Sequence, residues 1–184
     1  AWGLPILWAY IVPGIGTNVL KVWEFDTRLR LGRFRRQPGF VFGSATAMLT
    51  WLVHASPAQN WGDVLRLSLV LASVLGFWNL LYEVKALEAG ILRVYNQPWA
   101  DGQTEPAVAL DYAPWFFAGF GGVYGLIIGT AELHAGALST WPATLAGLLL
   151  ALSLACAVPV LGYMHRSMRR HGHFGTRPVV RKES

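Results

Sequence analysis

The sequence predicts an all-α, polytopic integral membrane protein: a five-helix transmembrane bundle with its N-terminus outside and its C-terminus inside. Three observations carry this reading. Charged residues make up 14% of the chain against 54% hydrophobic residues, and mean hydropathy is +0.39; a soluble domain is about a quarter charged. The apolar residues fall in five blocks, 2–22, 39–56, 64–85, 113–132 and 142–164, each near the roughly 20 residues that cross the hydrocarbon layer. The charges between the blocks sort by side. A disordered chain, a nucleic-acid-binding basic domain and an ordinary water-soluble enzyme are excluded.

The first block opens Ala1-Trp2-Gly3-Leu4-Pro5. It lacks the charged n-region and small-residue cleavage site of a signal peptide and is too long for an h-region, so it reads as a true span. Segment 21–36 then holds Lys21, Arg28, Arg30, Arg33, Arg35 and Arg36 against Glu24 and Asp26. Segment 165–184 is a basic tail with Arg166, Arg169, Arg170, Arg177, Arg181 and Lys182 against Glu183. The opposite side offers only Asp63, Arg66 and Glu132. The positive-inside rule sets the orientation and places 1–164 in the membrane with a cytoplasmic tail, in a bacterial-type plasma membrane. The net charge of +5 is an orientation signal that also suits anionic lipid; no nucleic-acid partner is expected.

The connection 86–112 is acidic (Glu88, Asp101, Glu105 and Asp111 against Arg93) and long for a helix–helix link. Its first part continues the third block as helix. Asn96-Gln97-Pro98-Trp99 and Asp101-Gly102-Gln103 are turn chemistry, so the segment reads as a lid or a solvated connector. In the fourth block Gly121, Gly125 and Gly129 line one helix face. Such a stripe lets another backbone approach, either within the chain or across a homo-oligomer seam. Pro13 and Pro159 interrupt the first and fifth blocks; each removes a backbone donor, and the resulting kinks can open a cavity between helices. The single Cys156 excludes an internal disulfide and a CxxC centre. His171-Gly172-His173 lies in the tail and reads as solvated. No HExxH, P-loop or GxSxG occurs, and neither metal nor cofactor is expected.

An ionisable group at mid-span costs about 2.5–3.5 kcal/mol on insertion scales, which singles out Glu83. Asn79 and Glu83 are four residues apart in the third block and share a helix face; Trp78 and Tyr82 form a second such pair beside them. A carboxyl in apolar surroundings is a sensible proton donor. Asn79 would orient it, and the aromatic faces would stabilise a cation. The structural alternative has Glu83 reaching headgroups or pairing with Lys85, Arg93 or the Arg-rich loop. A second cluster runs Asp111-Tyr112-Ala113-Pro114-Trp115-Phe116-Phe117, followed by Phe120 and Tyr124. Asp111 is placed to cap the fourth span, with Pro114 in its first turn. Alternatively it is a second acid or base facing Glu83, since the third block ends and the fourth begins on one membrane side. Phe116, Phe120 and Tyr124 recur every four residues and form a core face or a pocket wall. Glu132 ends the fourth block on the outer side and reads as interfacial.

The string Asn79-Leu80-Leu81-Tyr82-Glu83-Val84 resembles the Asn-x-x-Trp-Glu-Phe string of the small integral-membrane terpene cyclases of meroterpenoid and indole-terpenoid pathways, with Tyr82 in the Trp position. The resemblance implies a polytopic enzyme that protonates an epoxide or alkene of a prenylated substrate without a metal. Glu83 matches the family's acid and Asn79 the preceding Asn; Asp111 is a substitute for its second acidic residue, as terminating base. Trp78, Tyr82, Trp115, Phe116, Phe120 and Tyr124 would then shape the pocket. The partners implied are the lipid bilayer and an apolar isoprenoid-type small molecule arriving from it. Glu83, Gly90 and Tyr95, with the following Pro98 and Trp99, are similarly placed in membrane carotenoid hydratases, which also protonate an isoprenoid double bond. The rival expectation, from a different class, is a non-catalytic accessory or ligand-binding subunit of a larger membrane complex. A cavity reaching Glu83 separates the two.

Overall fold

A computed structural model of the chain describes residues 3–26, 30–31, 34–54, 56–134 and 141–181. Helix α1 (Gly3–Gly14) passes directly into a π-helical turn (Ile15–Val19). Three short strands follow, β1 (Trp23–Phe25), β2 (Arg30–Leu31) and β3 (Phe34–Arg35), then α2 (Arg36–Val53) and α3 (Trp61–Glu88). Strand β4 (Leu92–Val94) and the single turn α4 (Gln97–Ala100) lead into α5 (Glu105–Ala113), a π-helical stretch (Pro114–Gly119), α6 (Phe120–Leu133) and α7 (Trp141–His171). Among the described residues three helical runs are long and apolar enough to cross a membrane: Trp61–Glu88, Glu105–Leu133 and Pro142–His171. Helix α2 opens on Arg36-Gln37-Pro38-Gly39, so its apolar stretch is the shorter Gly43–Val53.

Local signals set the helix ends. At the start of α3 the Asn60 side chain accepts from the Asp63 N–H at 3.1 Å, an N-cap bond that satisfies one orphan donor. At its end Gly90 takes φ 69° and the Ile91 N–H returns to the Ala86 carbonyl at 2.9 Å, a closure that needs a left-handed residue. The π-helical turn after α1 ends the same way, with Lys21 at φ 57° and the Val22 N–H donating to Gly16 O at 3.1 Å. Each helix thus hands the chain to a strand, and the two strands pair. Strand β1 runs antiparallel to β4 with Trp23 opposite Val94, Glu24 opposite Arg93 and Phe25 opposite Leu92. Alternation along β4 buries Leu92 and Val94 and exposes Arg93.

The connection 86–112 is therefore folded rather than a solvated loop. Tyr95 donates from its hydroxyl to Glu24 at 3.2 Å; burial first, and then this carboxylate, push its pKa above the usual phenol value. The fourth helical run begins at Glu105, not near 113, because Thr104 at the cap and Pro106 in the first turn mark its true start. Pro114, lacking an N–H, falls inside the run, where the backbone widens to the π form. Asp111 consequently lies within α5 and caps nothing.

The tail differs from expectation too. Helix α7 runs to His171, and the residues after it dock back on the ribbon side. The Val179 N–H donates to Tyr95 O at 2.9 Å, His173 Nε2 lies 3.2 Å from Gln97 Oε1, and the Arg181 guanidinium sits 5.7 Å from the centre of the Trp99 ring. At the other end of the bundle Glu132 is partly buried rather than free at an interface. It lies 2.6 Å from His54 Nε2 and accepts from the Ala58 N–H at 3.0 Å.

The glycine stripe seats α3 within the chain. A Cβ on Gly121 would lie 2.5 Å from Leu71 O, one on Gly125 2.6 Å from Ser68 Cα, and one on Gly129 3.1 Å from Val64 Cα. Backbones that close let Ser68 Oγ donate to Gly122 O at 2.7 Å. Two apolar cores result. One surrounds Leu92, Val94, Val108, Tyr112 and Tyr163 beside the ribbon; the other gathers Leu67, Leu71, Tyr124, Leu152 and Ala155 deeper in the bundle.

Candidate active site

Between the two cores lies a cavity of about 140 Å³. Its floor is the inward face of the ribbon: Trp23, Phe25, Leu92 and Val94. Leu75, Asn79, Tyr82 and Glu83 form one wall, at positions i, i+4, i+7 and i+8 of α3. Tyr112, Phe116, Phe117 and Phe120 form a second wall, and Ala155, Cys156, Pro159 and Val160 a third. Helices α1 and α2 line its remaining side with Ala9, Val12, Pro13, Gly43 and Thr46. Both helix-breaking prolines read as potential cavity openers, Pro13 and Pro159, are in the walls. The Pro13 carbonyl accepts from Thr17 Oγ1 at 2.8 Å and from the Trp23 indole at 3.4 Å, which ties the floor to the irregular end of α1.

Glu83 is 5% exposed and faces this cavity. Among the described residues it has no cation partner: Lys85 lies 2.7 Å from Glu88 and Arg93 is on the exposed face of β4, while most of the Arg-rich loop lies outside the described side chains. The Tyr112 hydroxyl donates to Glu83 Oε2. Tyr112 is itself buried and meets Phe116 edge-on, with ring centres 6.3 Å apart. One oxygen of a buried carboxyl is thereby fixed by a neighbour that is rigidly packed.

The other expected site residues divide. Asn79 is in the wall, but its amide donates to Leu75 O of its own helix at 2.7 Å, so the orienting hydrogen bond on Glu83 comes from Tyr112. Tyr82 lines the cavity while 41% exposed, which puts it at the rim. Phe116 and Phe120 are wall residues. Trp78 is 57% exposed and turned outward, edge-on to Phe77. Trp115 packs its ring on Gly162, and Tyr124 stacks on Phe120 at 5.4 Å within the deeper core; neither lines the cavity.

Asp111 is 4% exposed but absent from the cavity lining, although Tyr112 beside it is present. It accepts from Asn96 Nδ2 at 3.2 Å and lies 3.1 Å from His171 Nε2, with Arg170 at 4.0 Å. It anchors the end of α7 to α5 and the α4 turn. Asp111 is thus engaged by Asn96 and His171 outside the lining that holds Glu83.

The sequence reading missed Tyr112 as a partner, and it missed the ribbon residues. Tyr112 stood in plain view beside Asp111. The only signal for it is the mismatch between a buried hydroxyl and a buried carboxyl that each need a partner. No protein-family model, curated protein or solved structure matches this chain.

Proposed function

We propose that this protein is a membrane-embedded acid catalyst of the terpene-cyclase kind, in which Glu83 protonates an epoxide or alkene of an isoprenoid substrate. The observation that carries the reading is a carboxyl, 5% exposed, on the wall of an aromatic-lined cavity and held by a tyrosine hydroxyl. The Glu83 O–H bond breaks and its proton bonds to the epoxide oxygen or to an alkene carbon. The cation develops beside Trp23, Phe116, Phe117 and Phe120, whose π faces favour it. An alkene of the same chain attacks and closes a ring. Loss of a proton from the adjacent carbon to the Glu83 carboxylate ends the reaction, so the net change is an isomerisation. Tyr112 is the positioning residue. Asp111 is replaced as terminating base by Glu83 itself, because Asp111 does not line the cavity.

Five spans fit this reading. Helix α1 with its π-helical turn, Gly3–Val19, and α2, whose apolar stretch is Gly43–Val53, would supply the two shorter spans, with the bilayer thinned around them. The described cations Lys21, Arg93, Arg170 and Arg181 lie at the ribbon end, which we read as inside, with the N-terminus outside, in a bacterial-type plasma membrane.

The test is turnover. Membranes containing wild type or Glu83→Gln are incubated with farnesylated and geranylated epoxides and alkenes, and products are followed by mass spectrometry. Loss of a general acid lowers the rate about 10²–10⁴-fold. Unchanged turnover removes Glu83 from the chemistry. The non-catalytic reading draws on the outward aromatic flank of α3, Phe77 and Trp78, as a surface for a partner subunit; binding without turnover in wild type would favour it.

A further inference from the structure

The cavity is polarised along the bundle axis, and this constrains what it holds and which way round. Glu83 and Tyr112 lie at the end beside the ribbon. Leu75, Phe120, Ala155 and Cys156 lie at the far end. Two close contacts set that end at one level: a Cβ on Gly76 would lie 2.7 Å from Ala118 Cβ, and one on Gly119 would lie 3.1 Å from Pro159 Cβ. From Glu83 to Leu75 is eight residues of α3, about 12 Å at 1.5 Å per residue. That depth is a little less than one leaflet, half of a ~30 Å hydrocarbon core. Among the described residues the lining contains neither Lys nor Arg, so a phosphate or diphosphate head would be desolvated against them with no cation to meet it. The floor presents apolar side chains, and the Asn79 amide is already engaged by Leu75 O.

We infer that the cavity takes a neutral, single-chain amphiphile. Its one small oxygen function (hydroxyl, carbonyl or epoxide) is held at Glu83 and Tyr112, and its apolar chain runs away from the ribbon toward Cys156. This rests on the reading of Glu83 as the group that meets the reactive end of the substrate. It adds that the reactive end is the polar end, and that diphosphates are not ligands.

Photolabelling tests it without requiring turnover. Farnesol carrying a diazirine at the end opposite its hydroxyl is irradiated with the purified full-length protein, and labelled peptides are mapped by mass spectrometry. Label should fall on 116–124 and 152–160, and unlabelled farnesol should compete it away while farnesyl diphosphate leaves it unchanged. Label on 22–26 or 92–95, equal competition by the diphosphate, or no label on any cavity-lining peptide would overturn the inference. Glu83→Gln should keep the deep label. If that variant also keeps full turnover, the acid mechanism fails while the binding mode stands; if turnover falls but label sits on the ribbon, the mechanism stands and the binding mode fails.

Discussion

Adding a single methyl at Gly125 tests how α3 and α6 are held together. In Gly125→Ala the new carbon would lie 2.6 Å from Ser68 Cα, 2.9 Å from Ser68 N and 3.1 Å from Leu67 O. All three are backbone atoms, so no side-chain rotamer can yield. Restoring carbon–carbon contact to ~3.5 Å requires the helices to part by about 1 Å. That movement stretches the Ser68 Oγ bond to Gly122 O, now 2.7 Å, and loosens the cores on either side. Overpacking of this kind costs about 1–3 kcal/mol. Gly122→Ala is the internal control: its Cβ would meet Ala72 Cβ at 3.6 Å and Ser68 Oγ at 3.8 Å, ordinary contacts, so a change within about 0.5 kcal/mol is expected. Equilibrium unfolding in mixed micelles, with molar mass by light scattering in parallel, measures both. Equal stability of the two variants would refute the packing argument. A Gly125→Ala protein of wild-type stability but altered oligomeric state would show that the stripe instead meets a second copy.

Further outcomes follow from the same geometry. Tyr112→Phe leaves Glu83 buried without its hydroxyl donor and costs about 1–3 kcal/mol of stability. Each ~1.4 kcal/mol of lost positioning lowers turnover about tenfold, so the variant should lose less turnover than Glu83→Gln; a full-rate Tyr112→Phe enzyme would exclude the positioning role. His171→Ala removes the partner 3.1 Å from the buried Asp111 and should free the docked tail, at about 1–3 kcal/mol. Limited trypsin digestion followed by intact mass would show faster cleavage at Arg177, and an unchanged rate would mean that the tail is held by its other contacts.

The three long apolar helices are legible because bilayer crossing demands long apolar runs, and these survive as blocks whatever the tertiary contacts. Their boundaries are less so. The polar start of the fourth run, Thr104-Glu105-Pro106, carries a helix signal that hydropathy alone ignores. The ribbon escapes notice because each strand has three residues and its partner lies about 70 positions away, far beyond local periodicity. Glu83 stands out through the cost of a carboxyl in an apolar run. Its true partner does not, because Tyr112 belongs to another helix and a spacing rule within α3 can propose only Asn79. The aromatic series Phe116, Phe120 and Tyr124 shows a subtler failure. Four-residue spacing does place Phe120 and Tyr124 on one face, where they stack, but Tyr124 lies one turn further along α6, past the cavity and in the deeper core. Trp78, one position before Asn79, is rotated about 100° from the inward face by ordinary helix geometry.

The pairing of β1 with β4 and the backbone bond from Val179 to Tyr95 bear on synthesis as well as on shape. Trp23 is made before its partner Val94, with α2 and α3 between them, and Val179 follows both. Contacts so distant in sequence form late. The floor of the chamber is thus incomplete until β4 has been made, and an affinity tag fused directly after residue 181 would sit against the Val179 bond that is added later still.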